Sequence, residues 1–238
     1  MSINFEELDY RQTQLGELIL RRRRDALLNT EVFEVKLNDD FLMSSLFTVA
    51  EIELARLGLT DLDNTELDIL VGGLGLGYTA NAALEHPRVH TVTIIEALSA
   101  VIEWHQQGLV PLGKRLSNDT RCHFIHGDFF RLAGSSQGFD SCSPGKRYHA
   151  ILLDIDHSPR HLLNPEHGSF YEADGLVKLK VHLYQRGIFA MWSNELPDEG
   201  FMKILADVFS TSESRIVRFH NPYQDCEATA TIYLARAN

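Results

Sequence analysis

From residue 67 onward, short apolar runs at 67–71, 91–95, 122–126, 149–154 and 187–192 alternate with stretches whose apolar residues recur at helical spacing, near 77–86, 98–107, 169–183 and 198–209. Apolar runs of this length bounded by turns read as strands buried on both faces, and their alternation with helices predicts a parallel sheet sandwiched between helical layers. Two last extended runs, 215–220 and 229–235, are joined by Asn-Pro-Tyr-Gln-Asp-Cys-Glu with no helix between them. So short a link pairs strands antiparallel, which predicts a C-terminal hairpin on the sheet.

The first part of the chain has a different period. Residues 15–45 alternate as strands do, over 16–22 and 31–37, with an Asn38-Asp39-Asp40 turn before 41–44. Two or three strands alone are marginally stable, so they must pack on the main body or on a second subunit. Residues 46–57 have helical spacing and 59–66 read as a linker. The expected organisation is a small N-terminal β region over 1–45, a helix and linker over 46–66, and an α/β domain over 67–238.

The join between the strand at 67–71 and the next helix carries the strongest chemical signal. It reads Gly72-Gly73-Leu-Gly75-Leu-Gly77 and is followed by a second apolar strand ending on Glu96. Gly72, Gly73, Gly75 and Gly77 remove Cβ atoms and allow the backbone to turn and approach a ligand, and the following helix aims its free N–H groups at the same place. Glu96 at the neighbouring strand tip can accept hydrogen bonds from a ribose diol. Gly75-Leu-Gly77-Tyr-Thr-Ala80 also fits the dinucleotide fingerprint, so a nicotinamide cofactor is an alternative. Read as Gly73, Gly75 and Gly77, the register better suits a nucleoside such as S-adenosylmethionine. With the terminal hairpin, this predicts a doubly wound, mostly parallel seven-stranded sheet, Rossmann-like and of the class I methyltransferase type.

The next two strands also end on acids. Asp128 in His126-Gly-Asp128 can accept from an adenine amino group, and Asp154 and Asp156 follow the strand Ile151-Leu-Leu. Ligands of open α/β sheets bind at the carboxyl ends of the strands, so Glu96, Asp128 and Asp154 are expected around one crevice. A net charge of −11 argues against a nucleic-acid surface and is compatible with a cationic substrate. Arg21, Arg22, Arg23 and Arg24 are expected on an exposed strand end or a subunit contact. Cys122, Cys142 and Cys226 have no C-x-x-C spacing and read as reduced and structural. With no apolar run of membrane length and an acidic start, the chain is expected to be cytoplasmic with no membrane partner.

Taken together, the Gly-Gly-x-Gly-x-Gly loop, Glu96, Gly127-Asp128, the tyrosine-led strand ending in Asp154 and Gly187-Ile-Phe-Ala-Met-Trp192 make the chain resemble the spermidine synthase (polyamine aminopropyltransferase) family. The resemblance implies a decarboxylated S-adenosylmethionine site with Glu96 on the ribose and Asp128 near the adenine. It implies that Asp154 takes a proton from an attacking small-molecule amine such as putrescine, with Asp156 holding the amine's second ammonium. Glu51 matches the helical glutamate of the family's amine site. From the residues themselves, His157 is expected to line the crevice or orient an aspartate, and Trp192 to wall the acceptor pocket or pack in the core. A homodimer is expected from the N-terminal strands.

The chain departs from the family where Gly75 and Leu98 replace aspartates, and where Asp154-Ile-Asp156-His-Ser-Pro159 replaces D-x-x-D-P. A methyltransferase on the same scaffold, using S-adenosylmethionine, and a nucleoside-binding protein without activity therefore remain open. No metal is expected. His157 and His161 are spaced for a shared helical face only if Pro159 between them did not break it, and Trp104-His105 read as buried packing with a polar edge.

Overall fold

In the computed structural model, which describes residues 5–238, eleven strands form two sheets and seven α-helices accompany them. Strands β1 (Phe5–Thr13), β2 (Gly16–Asp25), β3 (Thr30–Leu37) and β4 (Asp40–Ser44) make an antiparallel meander in chain order. Helix α1 (Val49–Thr60) leads into β5 (Leu67–Gly72), α2 (Tyr78–Glu85), β6 (Val89–Glu96), α3 (Ser99–Gln107), α4 (Gly113–Asn118) and β7 (Cys122–His126). Then come α5 (Phe129–Ala133), β8 (Tyr148–Leu153), a 3-10 turn (Pro165–Tyr171), α6 (Ala173–Lys180), β9 (Leu183–Ser193), α7 (Glu199–Val208), β10 (Thr211–Asn221) and β11 (Cys226–Arg236).

The large sheet has the order β10-β11-β9-β8-β5-β6-β7, parallel from β9 to β7 and antiparallel at β10 and β11. This is the seven-stranded, doubly wound arrangement with a terminal hairpin that the sequence pattern predicts. Period two along a doubly covered strand sends successive side chains to opposite layers. Along β8, Ala150 and Leu152 join the core beneath α1, α2 and α3, while Ile151 and Leu153 join the core with α5, α6 and α7.

The small sheet shares the first of these cores. Leu18, Leu20 and Val35 are buried with Leu54 and Leu59 of α1 and with the inner residues of β5. Strand β1 falls inside the expected N-terminal β region but before the strands read in it, which begin at residue 16, and α4 and α5 are likewise unmarked by the pattern. No β1 residue is buried, so its alternation carries little apolar contrast. The four arginines of β2 are paired within the small sheet: Arg21 and Arg23 with Glu34, Arg22 with Glu6, Arg23 with Asp25, and Arg24 with Asn29. Asp25 also accepts from Tyr223 Oη in the turn after β10, which pins the small sheet to the terminal hairpin. Among the described residues no helix is long and apolar enough to cross a membrane.

Candidate active site

From β5 the chain runs to β6 and β7 on one side, then crosses back to β8 on the other. The strand order reverses between β5 and β8, and ligands of such sheets gather outside the carboxyl ends at this point. The glycine loop lies there. Gly73 has φ +93°, and a Cβ on it would come within 2.2 Å of the carbonyl oxygen of Asp154, a backbone atom that cannot step aside. Gly75 has φ +50°, and its Cβ would meet the Met43 thioether sulfur at 2.8 Å. The second contact brings β4 of the small sheet directly over the loop. Gly72 is packed against Phe129, and Gly77 precedes α2 against Leu116 and His105.

Glu96 closes one side of the loop. Its Oε2 accepts from the Leu74 N–H at 2.9 Å and its Oε1 from the Leu98 N–H at 2.8 Å. Burial pushes its carboxyl above the usual range, and the surrounding backbone N–H groups oppose that rise. The Leu74 and Leu98 N–H groups bond it directly, and those of Gly75 and Ala97 add to the stabilisation of its charge. On the same side His105, fully buried on α3, donates from Nε2 to the Gly75 carbonyl at 2.9 Å. Its Nδ1 has no partner among the described residues, and burial pushes the ring down to about 4, so it is neutral at ordinary pH. Trp104 beside it bonds Asp9 of β1 at 2.6 Å, so α3 ties the small sheet to the loop.

Asp128 follows β7 as the N-cap of α5, accepting from the Arg131 N–H at 3.1 Å, and is exposed. One oxygen is thus engaged by the helix.

The other side of the loop carries the most unusual electrostatics. Asp154, one residue beyond β8, has its N–H on the Gly72 carbonyl, and its Oδ2 accepts from Thr79 Oγ1 of α2 at 2.7 Å. Glu51 of α1 faces it. Desolvation first, and then the charge of Asp154, push the Glu51 carboxyl up to about 8. Desolvation pushes Asp154 up to about 6, opposed by the Thr79 bond. Near neutral pH the two acids therefore hold close to one proton between them, the behaviour of carboxylates that share a dry site. Tyr78, also raised by burial and by Glu51, borders the pair.

Asp156 departs from its expected position. Its side chain is fully shielded from solvent and accepts from the Leu163 N–H at 2.7 Å, from His167 Nδ1 at 3.0 Å and from Tyr171 Oη at 2.7 Å. Strand β8 ends at Leu153, so the alternation that would place residues 154 and 156 on one face stops before either. Asp156 instead organises the turn that carries the chain from β8 to α6. His157 is partly buried with its ring 5.0 Å from that of His161 and 6.3 Å from that of Trp192. Trp192 Nε1 is shielded from solvent with no partner among the described residues. No group of three His, Cys, Asp or Glu side chains among the described residues is placed to hold a metal ion.

Sequence reasoning missed Thr79 and the loop contacts of His105 and Met43. Thr79 carries no motif, and the other two meet the loop only through tertiary packing.

No family profile and no curated protein matches the sequence. Solved structures do match the fold. A spermidine synthase from Thermotoga maritima superposes with a TM-score of 0.72 at 15% identity, over 98% of this chain and 72% of its own. A spermidine synthase in complex with the transition state analogue AdoDATO gives 0.74 at 15% identity, over 98% and 74%. Human methyltransferase-like protein 13 in complex with SAH gives 0.54 at 20% identity, over 80% and 79%. What these likenesses establish is the architecture: the chain is built on the spermidine synthase-like form of the class I methyltransferase fold.

Proposed function

We propose that this chain is a transferase for an adenosyl sulfonium donor, moving an aminopropyl group from decarboxylated S-adenosylmethionine to an amine such as putrescine. The observation that carries the reading is the pair Glu51 and Asp154, two desolvated carboxylates at the strand-order reversal beside the glycine loop. Acidic groups with raised pKa values in a cleft are suited to take a proton near neutrality and to receive a cation.

The donor supplies an electrophilic carbon attached to a positive sulfur. Glu96 is the acid on the β6 side that would meet a ribose diol, and Gly73, Gly75 and Gly77 let Asp154, Met43, Leu116 and His105 close in on the loop beside it. Met43 packs on Gly75 and His105 bonds its carbonyl, so both hold the loop. When the amine nitrogen bonds to that carbon, the carbon–sulfur bond breaks with its electron pair on sulfur, leaving a neutral thioether. The extra proton on nitrogen passes to Asp154. With Asp156 engaged by Leu163, His167 and Tyr171, the acid opposite Asp154 is Glu51, and together they present about one negative charge to one ammonium.

A second reading, methyl transfer from S-adenosylmethionine, is favoured by the likeness to a methyltransferase bound to SAH over 80% of the chain. Calorimetry with decarboxylated S-adenosylmethionine, S-adenosylmethionine and NAD separates the readings. The expected result is binding of the decarboxylated donor and turnover with putrescine. Asp154→Asn should lower kcat by at least about a hundredfold with donor affinity within a few fold. If only S-adenosylmethionine binds, the methyl reading replaces this one, and if no adenosyl compound binds, both are wrong.

A further inference from the structure

We propose that Thr79 is a positioning residue that keeps Asp154 hydrogen-bonded in both of its protonation states, with its hydroxyl turning between the Asp154 carboxylate and the main-chain carbonyl of Glu51. The inference rests on the transferase reading for its purpose, and its geometry stands independently of that reading. Thr79 is 2% exposed, so water does not serve its hydroxyl. Its Oγ1 lies 2.7 Å from Asp154 Oδ2 and 3.3 Å from the Glu51 carbonyl oxygen. A threonine hydroxyl has one proton to donate and two lone pairs to accept with.

While Asp154 is ionised the hydroxyl donates to it, because a charged acceptor at the shorter distance makes the stronger bond. Once Asp154 takes a proton, its own O–H becomes the donor and Thr79 Oγ1 the acceptor. The threonine proton is then free to turn to the Glu51 carbonyl. Neither state leaves a buried donor without an acceptor, a condition that otherwise opposes proton uptake in a dry site.

The arrangement also treats the two acids unequally. Glu51 on α1 is the acid facing Asp154, and Tyr78 on α2, bonded towards Ser45, faces Glu51. Of the two carboxylates, Asp154 receives the Thr79 bond, which favours its charged form. Burial and the charge of Asp154 push Glu51 the other way, towards its protonated form.

Thr79→Val keeps the shape and removes the hydroxyl, and Thr79→Ser restores it. Carboxyl-carbon NMR titration in a Glu51→Gln background isolates Asp154, identified by the loss of its signal in Asp154→Asn. Thr79→Val should raise the Asp154 midpoint by about one pH unit, and Thr79→Ser should leave it within a few tenths of the parent. Thermal midpoints of the three proteins check that each is folded. An unchanged midpoint in Thr79→Val, or an equal shift in Thr79→Ser, overturns the proposal. Calorimetry of the wild type with decarboxylated S-adenosylmethionine tests the donor reading separately, because its failure leaves the titration unaffected. Where turnover is present, the acid limb of the kcat profile should rise with the Asp154 midpoint while the donor KM holds.

Discussion

The two flanks of the glycine loop each carry a desolvated acid, Glu96 buried and Asp154 partly buried, and they treat it oppositely. On the β6 side Glu96 receives backbone N–H groups from Leu74 and Leu98, so its charge helps hold the loop in place. On the β8 side Asp154 receives one hydroxyl and faces another carboxylate. Burial alone raises both groups, so burial does not separate a structural acid from a reactive one. The difference lies in how many donors the fold has already supplied. Where backbone N–H groups surround the carboxylate, the charge belongs to the architecture. A single donor and a like charge leave room for a proton or a cation.

The largest test of this contrast is stability. Glu96→Ala strands the Leu74 and Leu98 N–H groups in a buried place, which should cost about 3 kcal/mol. Asp154→Asn retains an acceptor for Thr79 and removes a repulsive charge, so it should be neutral or stabilising at pH 8. Urea denaturation of both variants measures the difference. Equal losses would mean that the two flanks are equally structural.

A smaller effect is expected from pH. Glu51 and Asp154 bind their protons more tightly in the folded chain than in the unfolded one, with folded values near 8 and 6. The folded state then holds more protons, and stability falls as pH rises from the ordinary carboxylate range towards 8. The direction of both shifts fixes the sign of that loss, and the pair supplies it together. Glu51→Gln should flatten the alkaline part of the curve and raise stability at pH 8. Thermal denaturation at fixed ionic strength from pH 5 to 8.5, for wild type and variant, checks the sign.

The contrast also explains what could be read without coordinates. The glycine loop and Glu96 were legible because strand, loop, helix and next strand follow one another, so each signal supports its neighbour. The parallel sheet between helical layers followed from the same alternation, and the hairpin from the missing helix before β11. Asp154 and Asp156 were not separable, since both follow one apolar strand and only the end of β8 at Leu153 turns them apart. Glu51 was visible as a residue, but its meeting with Asp154 depends on α1 crossing the sheet near β8. His105 looked like a polar edge of a packed helix, and nothing local shows that its ring meets the Gly75 carbonyl.

The smallest effect concerns Asp128, which could belong to either class of acid. Its Oδ1 caps α5 through the Arg131 N–H, and the side chain is exposed. Asp128→Ala removes cap and carboxylate together, whereas Asp128→Ser keeps a good N-cap and shortens the side chain beyond reach of a base. Loss of the cap alone should cost about 1 kcal/mol of stability, seen in Asp128→Ala and not in Asp128→Ser. Loss of an adenine contact should weaken donor binding by about fivefold in both. Calorimetric affinities that fall only in Asp128→Ala would assign the residue to the architecture, beside Glu96. A matched fall in both variants, with the stability of Asp128→Ser intact, would show that one carboxylate serves the helix with one oxygen and the ligand with the other.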